Sequence, residues 1–219
     1  MSYKIKSILI IILVLLADQV LKIWIKMHMM LGDEIVIFKN WFIIHFVENN
    51  GMAFGFEFGN STGKYFLSIF RLLAVGAIGW YLNTLWKKKV PFGLIVSFSL
   101  IMAGAIGNIL DSAYFGLIFD DSYGKVSALF PPHGGYAPFL QGRVVDMFYF
   151  PLFSGHYPLW LPFFGGQEYI FFRPVFNLAD SSITVGIFII LIFYRRFFDK
   201  KEDEETEESS KEIQDNVSV

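Results

Sequence analysis

Two aspartates stand where lipid-like surroundings make an aspartate costly. Asp180 lies in Phe176-Asn177-Leu178-Ala179-Asp180, at the start of the last long apolar run, and Asp146 lies in Arg143-Val144-Val145-Asp146-Met147-Phe148-Tyr149-Phe150. A carboxylate in such a run faces a protein interior or a wet cavity, and by default marks a functional site. Two aspartates held close together cannot both ionise easily. One keeps its proton while the other, as base, activates a water; the protonated partner supplies the acid and a hydrogen bond to a carbonyl oxygen. Such a pair is the minimum equipment for hydrolysing an amide without a metal.

Other chemistries are poorly served. There is no cysteine, which excludes disulfides, thiolate nucleophiles and Cys-based zinc sites. No H-E-x-x-H occurs, and His28, His45, His133 and His156 all lie outside the long apolar runs. No G-x-S-x-G is present, and Lys22 has no serine at helical spacing on its own run. No metal, cofactor or nucleic-acid partner is therefore expected.

The elements that must position the pair are membrane spans. The 219 residues are 54% hydrophobic and include 26 Phe, with a mean hydropathy of +0.49, too apolar for an ordinary soluble domain. Four runs, about 5–27, 65–86, 91–111 and 175–194, are long enough to cross a bilayer, which takes about 20 mostly apolar residues. Lys4 and Lys6 before the first run resemble a signal peptide's start, but no small-residue cleavage site follows, so an uncleaved span is expected. The basic residues Lys4, Lys6, Lys87, Lys88, Lys89, Arg195, Arg196, Lys200 and Lys201 all fall on one side of a four-span arrangement. That side is cytoplasmic by the positive-inside rule, and it holds both termini. The segments of about 28–64 and 112–174 are then external.

In the first external segment, Ile35–Phe38 and Trp41–Val47 read as strands joined at Lys39-Asn40, with Glu48-Asn49-Asn50-Gly51 as a turn before the chain resumes apolar. Turn chemistry alone accounts for Asn49 and Gly51. The second, with its aromatic, Gly and Pro clusters around Phe130–Gly135 and Trp160–Gly166, fits the membrane interface. Residues 200–219 read as a disordered acidic cytoplasmic tail, beside a membrane domain of 1–199.

Polar residues at membrane depth complete the pattern. Asp18 and Lys22 are one helical turn apart, which suits either an internal ion pair or a substrate-facing role. Gly104, Gly107, Asn108 and Asp111 share one stripe, which suits close helix packing. Asp18, Asp111, Asp146 and Asp180 all converge on the outer leaflet. A small carrier or channel lined by these charges is one rival reading, although there are no internal repeats or paired half-helices; a non-catalytic assembly protein is another.

Five motifs together resemble the lipoprotein signal peptidase (signal peptidase II) family: Asp18-Gln19-x-x-Lys22, Asn49-x-Gly51-x-Ala53-Phe54, Gly104-x-x-Gly107-Asn108-x-x-Asp111, Val144-Val145-Asp146 and Phe176-Asn177-x-Ala179-Asp180. The resemblance spans all four runs in order. It implies a four-helix membrane fold with an external β-hairpin cradle and a long external loop. It implies an aspartyl endopeptidase of the bacterial inner membrane, monomeric and without cofactor, that meets its substrate among membrane lipids at the outer leaflet. That substrate is the lipid-modified prolipoprotein signal peptide, cut before the diacylglyceryl-bearing cysteine. Asp146 and Asp180 match its catalytic positions; Asp18, Lys22, Asn49, Gly51, Gly104, Asn108, Asp111 and Asn177 match binding or supporting ones. The family motif commonly ends Asp-Arg, but here Ser112 follows Asp111, and Arg143 is the candidate replacement.

Overall fold

The computed structural model describes residues 1–39, 41–50, 61–88, 90–195 and 197. Gly51, Met52–Phe54, Asn40, Lys89 and the acidic tail lie outside the described residues.

Apolar helices form the body of the molecule. Helix α1 (Tyr3–His28) begins at Ser2, whose side chain accepts the Ile5 N–H and so satisfies one orphan donor of the first turn. Helix α2 spans Ser61–Lys87. Helix α3 (Phe92–Leu110) starts directly after Pro91, a residue that suits a helix entrance because its missing N–H is not needed there. It continues through a π-helical turn, Asp111–Phe115, and a short α4, Gly116–Ile118. Helix α5 (Leu178–Ile189) ends in a second π turn, Ile190–Tyr194. Among the described residues, the stretches Tyr3–His28, Gly63–Lys87 and Phe92–Ile118 are long and apolar enough to cross a membrane; Leu178–Tyr194 is shorter.

Helix α3 is central, packing along α1, α2 and α5. Its small residues permit this. A Cβ on Gly104 would lie 2.2 Å from the Ala179 carbonyl oxygen, and one on Gly107 would lie 2.7 Å from Asp18 Oδ2. These contacts bring α5 and α1 close to the α3 backbone, as small residues do between membrane helices. Outward faces remain apolar, with Leu13, Leu16 and Val20 on α1, Phe66, Phe70 and Leu73 on α2, and Phe188 and Leu191–Phe193 at the α5 end all exposed. Such surface suits lipid rather than water.

One end of the bundle carries a four-stranded antiparallel sheet in the order β1 (Glu34–Phe38), β2 (Phe42–Asn49), β3 (Val144–Tyr149), β6 (Val175–Phe176). Register pairs Val47 with Asp146 and Phe148 with Phe176. A separate hairpin, β4 (Phe153–His156) with β5 (Glu168–Phe171), leaves the sheet between β3 and β6. Its rings stack in pairs, Phe153 on Phe171 at 4.5 Å, while Trp160 and Phe163 at the far end are 79% and 94% exposed.

Several boundaries differ from the sequence reading. Glu48 and Asn49 belong to β2 rather than a turn, because their backbones pair with Val145 and Val144. Val175 and Phe176 form a strand instead of the first turn of a span, because β3 supplies their hydrogen bonds. The third helix runs seven residues past Asp111. Phe115, followed by Phe119, buries there in a core with Ile25, Met29, Phe46, Val145 and Met147. A second core of Leu82, Leu85, Val90, Leu94 and Ile95 closes the opposite end.

Candidate active site

Strand β3 and the start of α5 bring the two aspartates to one place, and Asn177 joins them. As the N-cap of α5 it accepts the Asp180 N–H on its side-chain oxygen (2.8 Å), while Asp180 Oδ2 accepts the Asn177 N–H (3.4 Å). This reciprocal cap fixes the Asp180 side chain at the helix entrance. The Asn177 amide Nδ2 donates to Asp146 Oδ1 (2.8 Å), within reach also of Asn108 Oδ1 and the Val145 carbonyl. Asn108 on α3 donates its own Nδ2 to Asp180 Oδ1 (2.8 Å). Asn49 on β2 hydrogen-bonds Asp146 as well.

The two carboxyls differ in setting. Asp146 is buried, and that burial together with the nearby Asp180 charge pushes its carboxyl up to about 7, against the opposing pull of Lys22, Asn49 and Asn177. Asp180 is only half-buried, and each of its oxygens accepts an N–H. An open cleft lined by Val47, Glu48, Asn49, Asn50 and Val175 leads to Asp146 along the sheet.

A buried charge cluster supports the pair from the bundle side. Lys22 Nζ lies 2.8 Å from both Asp18 Oδ2 and Asp111 Oδ2, and 3.1 Å from Asn108 Oδ1. Gln19 Nε2 donates to Asp111 Oδ1 (2.9 Å). Of the two sequence alternatives for Asp18 and Lys22, the structure contains the internal ion pair, with both side chains buried. Oxygens of this cluster also reach the chain next to each aspartate. Asp18 Oδ1 accepts the Ala179 N–H (2.9 Å), beside Asp180, and Asp111 Oδ2 accepts the Val145 N–H (3.3 Å), beside Asp146. Gly104 sits one layer deeper, against Ala179 and Ile183.

Arg143 does not reach Ser112. Its Nη1 donates to Glu48 Oε2 (2.7 Å) and lies 3.3 Å from Asp121 Oδ1, with its guanidinium over the Tyr136 ring. Burial would lower this guanidinium, but the hydrogen bonds it donates to Glu48 and Asp121 hold it above its ordinary value. Glu48 also pairs with Lys26, so one buried carboxylate joins the end of α1, β2 and the segment between α4 and β3. The residue that does reach Ser112 is Arg71, whose Nη1 donates to Ser112 Oγ at 3.3 Å. Arg71 was overlooked in the sequence reading, although it is the only charged residue between 65 and 86, and a charge inside an apolar run is a functional signal by default. The Lys26–Glu48 pair was also missed, because each partner read as an ordinary polar residue at an element's edge.

Apolar helices stacked beneath a small sheet, with carboxylates buried where the two meet, define a multi-pass membrane enzyme. Its family follows from the sequence: residues 10–196 match the family described as Signal peptidase (SPase) II, and the chain belongs to this family of proteases. A lipoprotein signal peptidase of Porphyromonas gingivalis is 51% identical over 186 residues, covering 84% of this chain and 80% of the relative. One from Amoebophilus asiaticus is 36% identical over 184 residues, covering 83% and 74%. A bacterial membrane enzyme solved by the in meso method at 2.3 Å resolution shares the fold with a TM-score of 0.55 and 27% identity, covering 90% of this chain and 91% of that one.

Proposed function

We propose that this chain is an aspartyl endopeptidase that removes signal peptides from prolipoproteins by cutting before the diacylglyceryl-modified cysteine. The observation that carries this reading is Asn177, one side chain bonded to both Asp146 and Asp180, in a protein of the signal peptidase II family. Asp146 starts the cycle protonated, consistent with a carboxyl pushed up to about 7, and Asp180 serves as the base. Asp180 takes a proton from water as the oxygen attacks the scissile carbonyl, and Asp146 gives its proton to the carbonyl oxygen. Asp180 then protonates the leaving nitrogen while Asp146 takes back a hydroxyl proton, and the C–N bond breaks. Asn108, Asn177 and Asn49 hold the two carboxyls in place throughout, and the Asp18–Lys22–Asp111 cluster holds the backbone beside them.

Four spans place the site at the outer leaflet, with Leu178–Tyr194 as the fourth. At about 1.5 Å per residue its 17 residues are roughly 26 Å long, close to the hydrocarbon thickness of about 30 Å. Both termini then face the cytoplasm of a bacterial inner membrane, and the enzyme acts as a monomer. The hairpin β4–β5, with only Glu168 charged in its strands and its far end aromatic, forms an interfacial platform beside the substrate's lipid.

The test is cleavage of a diacylglyceryl-modified prolipoprotein by the full chain in lipid, compared with Asp146→Asn and Asp180→Asn. An amide keeps the shape of the acid but cannot take the water's proton. Each variant is expected to lose activity by at least about 10²–10⁴-fold, and the double variant to be little worse. Cleavage is expected to be unaffected by chelators. Substantial turnover in either single variant, or chelator inhibition reversed by added zinc, refutes the two-aspartate mechanism.

A further inference from the structure

Arg71 approaches the site from α2, a helix that contributes nothing to the hydrogen bonds joining Asp146 and Asp180. It is half-buried, and Asp180, Asp111 and Asp146 are the carboxylates whose charges act on it. Those carboxylates are already engaged elsewhere: Asp111 by Lys22 and Gln19, Asp146 by Asn177, and Asp180 by Asn108. Arg71 itself donates to Ser112 Oγ, which passes a hydrogen bond on to the Asn108 carbonyl. A guanidinium presents five N–H donors in a rigid fork, and a single hydroxyl at 3.3 Å occupies one of them. Arg71 lines a small cleft whose polar side is Asn50, Lys64, Ser68 and Ser112 and whose apolar side is Leu67 and Leu140. Lys64, two turns back on α2, donates to Asn50 Oδ1 at 2.7 Å.

The cleft therefore offers charged donors, and the charges of Asp180, Asp111 and Asp146 act on the same guanidinium. An anion beside that guanidinium would also meet these three carboxylates, whereas a neutral carbonyl oxygen is attracted by the donors without that penalty. We propose that Arg71 is a substrate-positioning residue that holds a carbonyl oxygen of the bound substrate beside Asp146 and Asp180. This rests on the peptidase reading above. Two parts of the substrate carry such an oxygen, the peptide backbone near the cut and the ester linkages of the diacylglyceryl group, and the experiment separates them.

Steady-state kinetics are measured on the full chain in nanodiscs, with a lipopeptide bearing ester-linked chains and an analogue bearing ether-linked chains. For Arg71→Gln, KM is expected to rise roughly 10- to 100-fold for the ester substrate, as for loss of a hydrogen bond from a charged group. The turnover number and melting temperature are expected to hold. Arg71→Lys keeps the charge but loses the fork, and is expected to recover part of the loss. An ester-only effect assigns the lipid carbonyl, and an equal effect on both substrates assigns the peptide carbonyl. KM unchanged for both substrates in either variant overturns the proposal. So does a loss confined to the turnover number that follows a fall in melting temperature and is equal in the two variants. Should Arg71→Gln not fold, Arg71→Lys alone decides, by a raised or an unchanged KM at normal melting temperature. Failure of the parent chain to cleave either substrate would instead overturn the peptidase reading.

Discussion

Replacing Lys22 by methionine should destabilise the protein more than any other single change in the bundle. The ammonium is 0% exposed and sits 2.8 Å from each of two carboxylates that are themselves 1% and 0% exposed. Methionine keeps the length of the stem but leaves Asp18 and Asp111 facing each other without a cation. Removing one partner of a buried ion pair costs about 3–5 kcal/mol, a shift of roughly 10²–10³-fold or more in the folded population at 1.4 kcal/mol per decade. The damage reaches the candidate site, because Asp18 holds the Ala179 N–H beside Asp180 and Asp111 the Val145 N–H beside Asp146. The informative comparison is the triple variant Lys22→Met, Asp18→Asn, Asp111→Asn, which removes every charge of the cluster while roughly keeping its volume. Replacing a whole buried ionic group by neutral ones is often close to neutral, and the asparagine oxygens can still accept the two backbone N–H groups. Thermal unfolding of the purified protein in lipid, followed by tryptophan fluorescence, should show a large loss for the single variant and recovery of most of it in the triple. A single variant as stable as the parent, or a triple no better than the single, would refute the view that Lys22 serves to neutralise these carboxylates.

Three further outcomes are expected. Asp146 titrates near 3.9 when unfolded but is pushed up to about 7 when folded, so the native state binds the extra proton between these values and stability should fall as pH rises through that window; cleavage should likewise fall above about pH 7, and denaturant melts of Asp146→Asn should lack this component. The chain has no cysteine of its own, so single cysteines report topology directly. Lys88→Cys should be shielded from an impermeant reagent outside intact cells while Tyr136→Cys and Trp160→Cys should react, and labelling of Lys88→Cys from outside would overturn the four-span arrangement. Glu48→Gln should weaken the link between α1, β2 and the segment between α4 and β3 by leaving Lys26 and Arg143 without their shared carboxylate, seen as faster proteolysis within 120–143; an unchanged digestion pattern would show that the surrounding rings alone hold it.

The apolar runs and the carboxylates that the structure brings together were legible in the sequence alone. These features depend on composition and local spacing, and lipid enforces them residue by residue: a charge in a 20-residue apolar run is conspicuous whatever the fold. The same logic exposed the α3 stripe, since a helix repeats its faces every three or four residues. What the sequence left open were pairings between distant segments. Glu48 and Asn49 read as a turn because their strand partners, Val145 and Val144, lie almost a hundred residues away. Val175 and Phe176 read as helix because apolar β-formers fit either period over two residues, and only pairing with β3 decides. Asp18 and Lys22 left two roles open until Asp111 arrived from α3 as the third charge. Arg143 and Arg71 exchanged roles for the same reason. Nearness to Asp146 along the chain drew attention to Arg143, but the Glu48 carboxylate captures it, whereas Arg71 reaches Ser112 only because α2 packs against α3. Ion pairs and hydrogen bonds act over a few ångströms of space, and separation along the chain does not measure that distance.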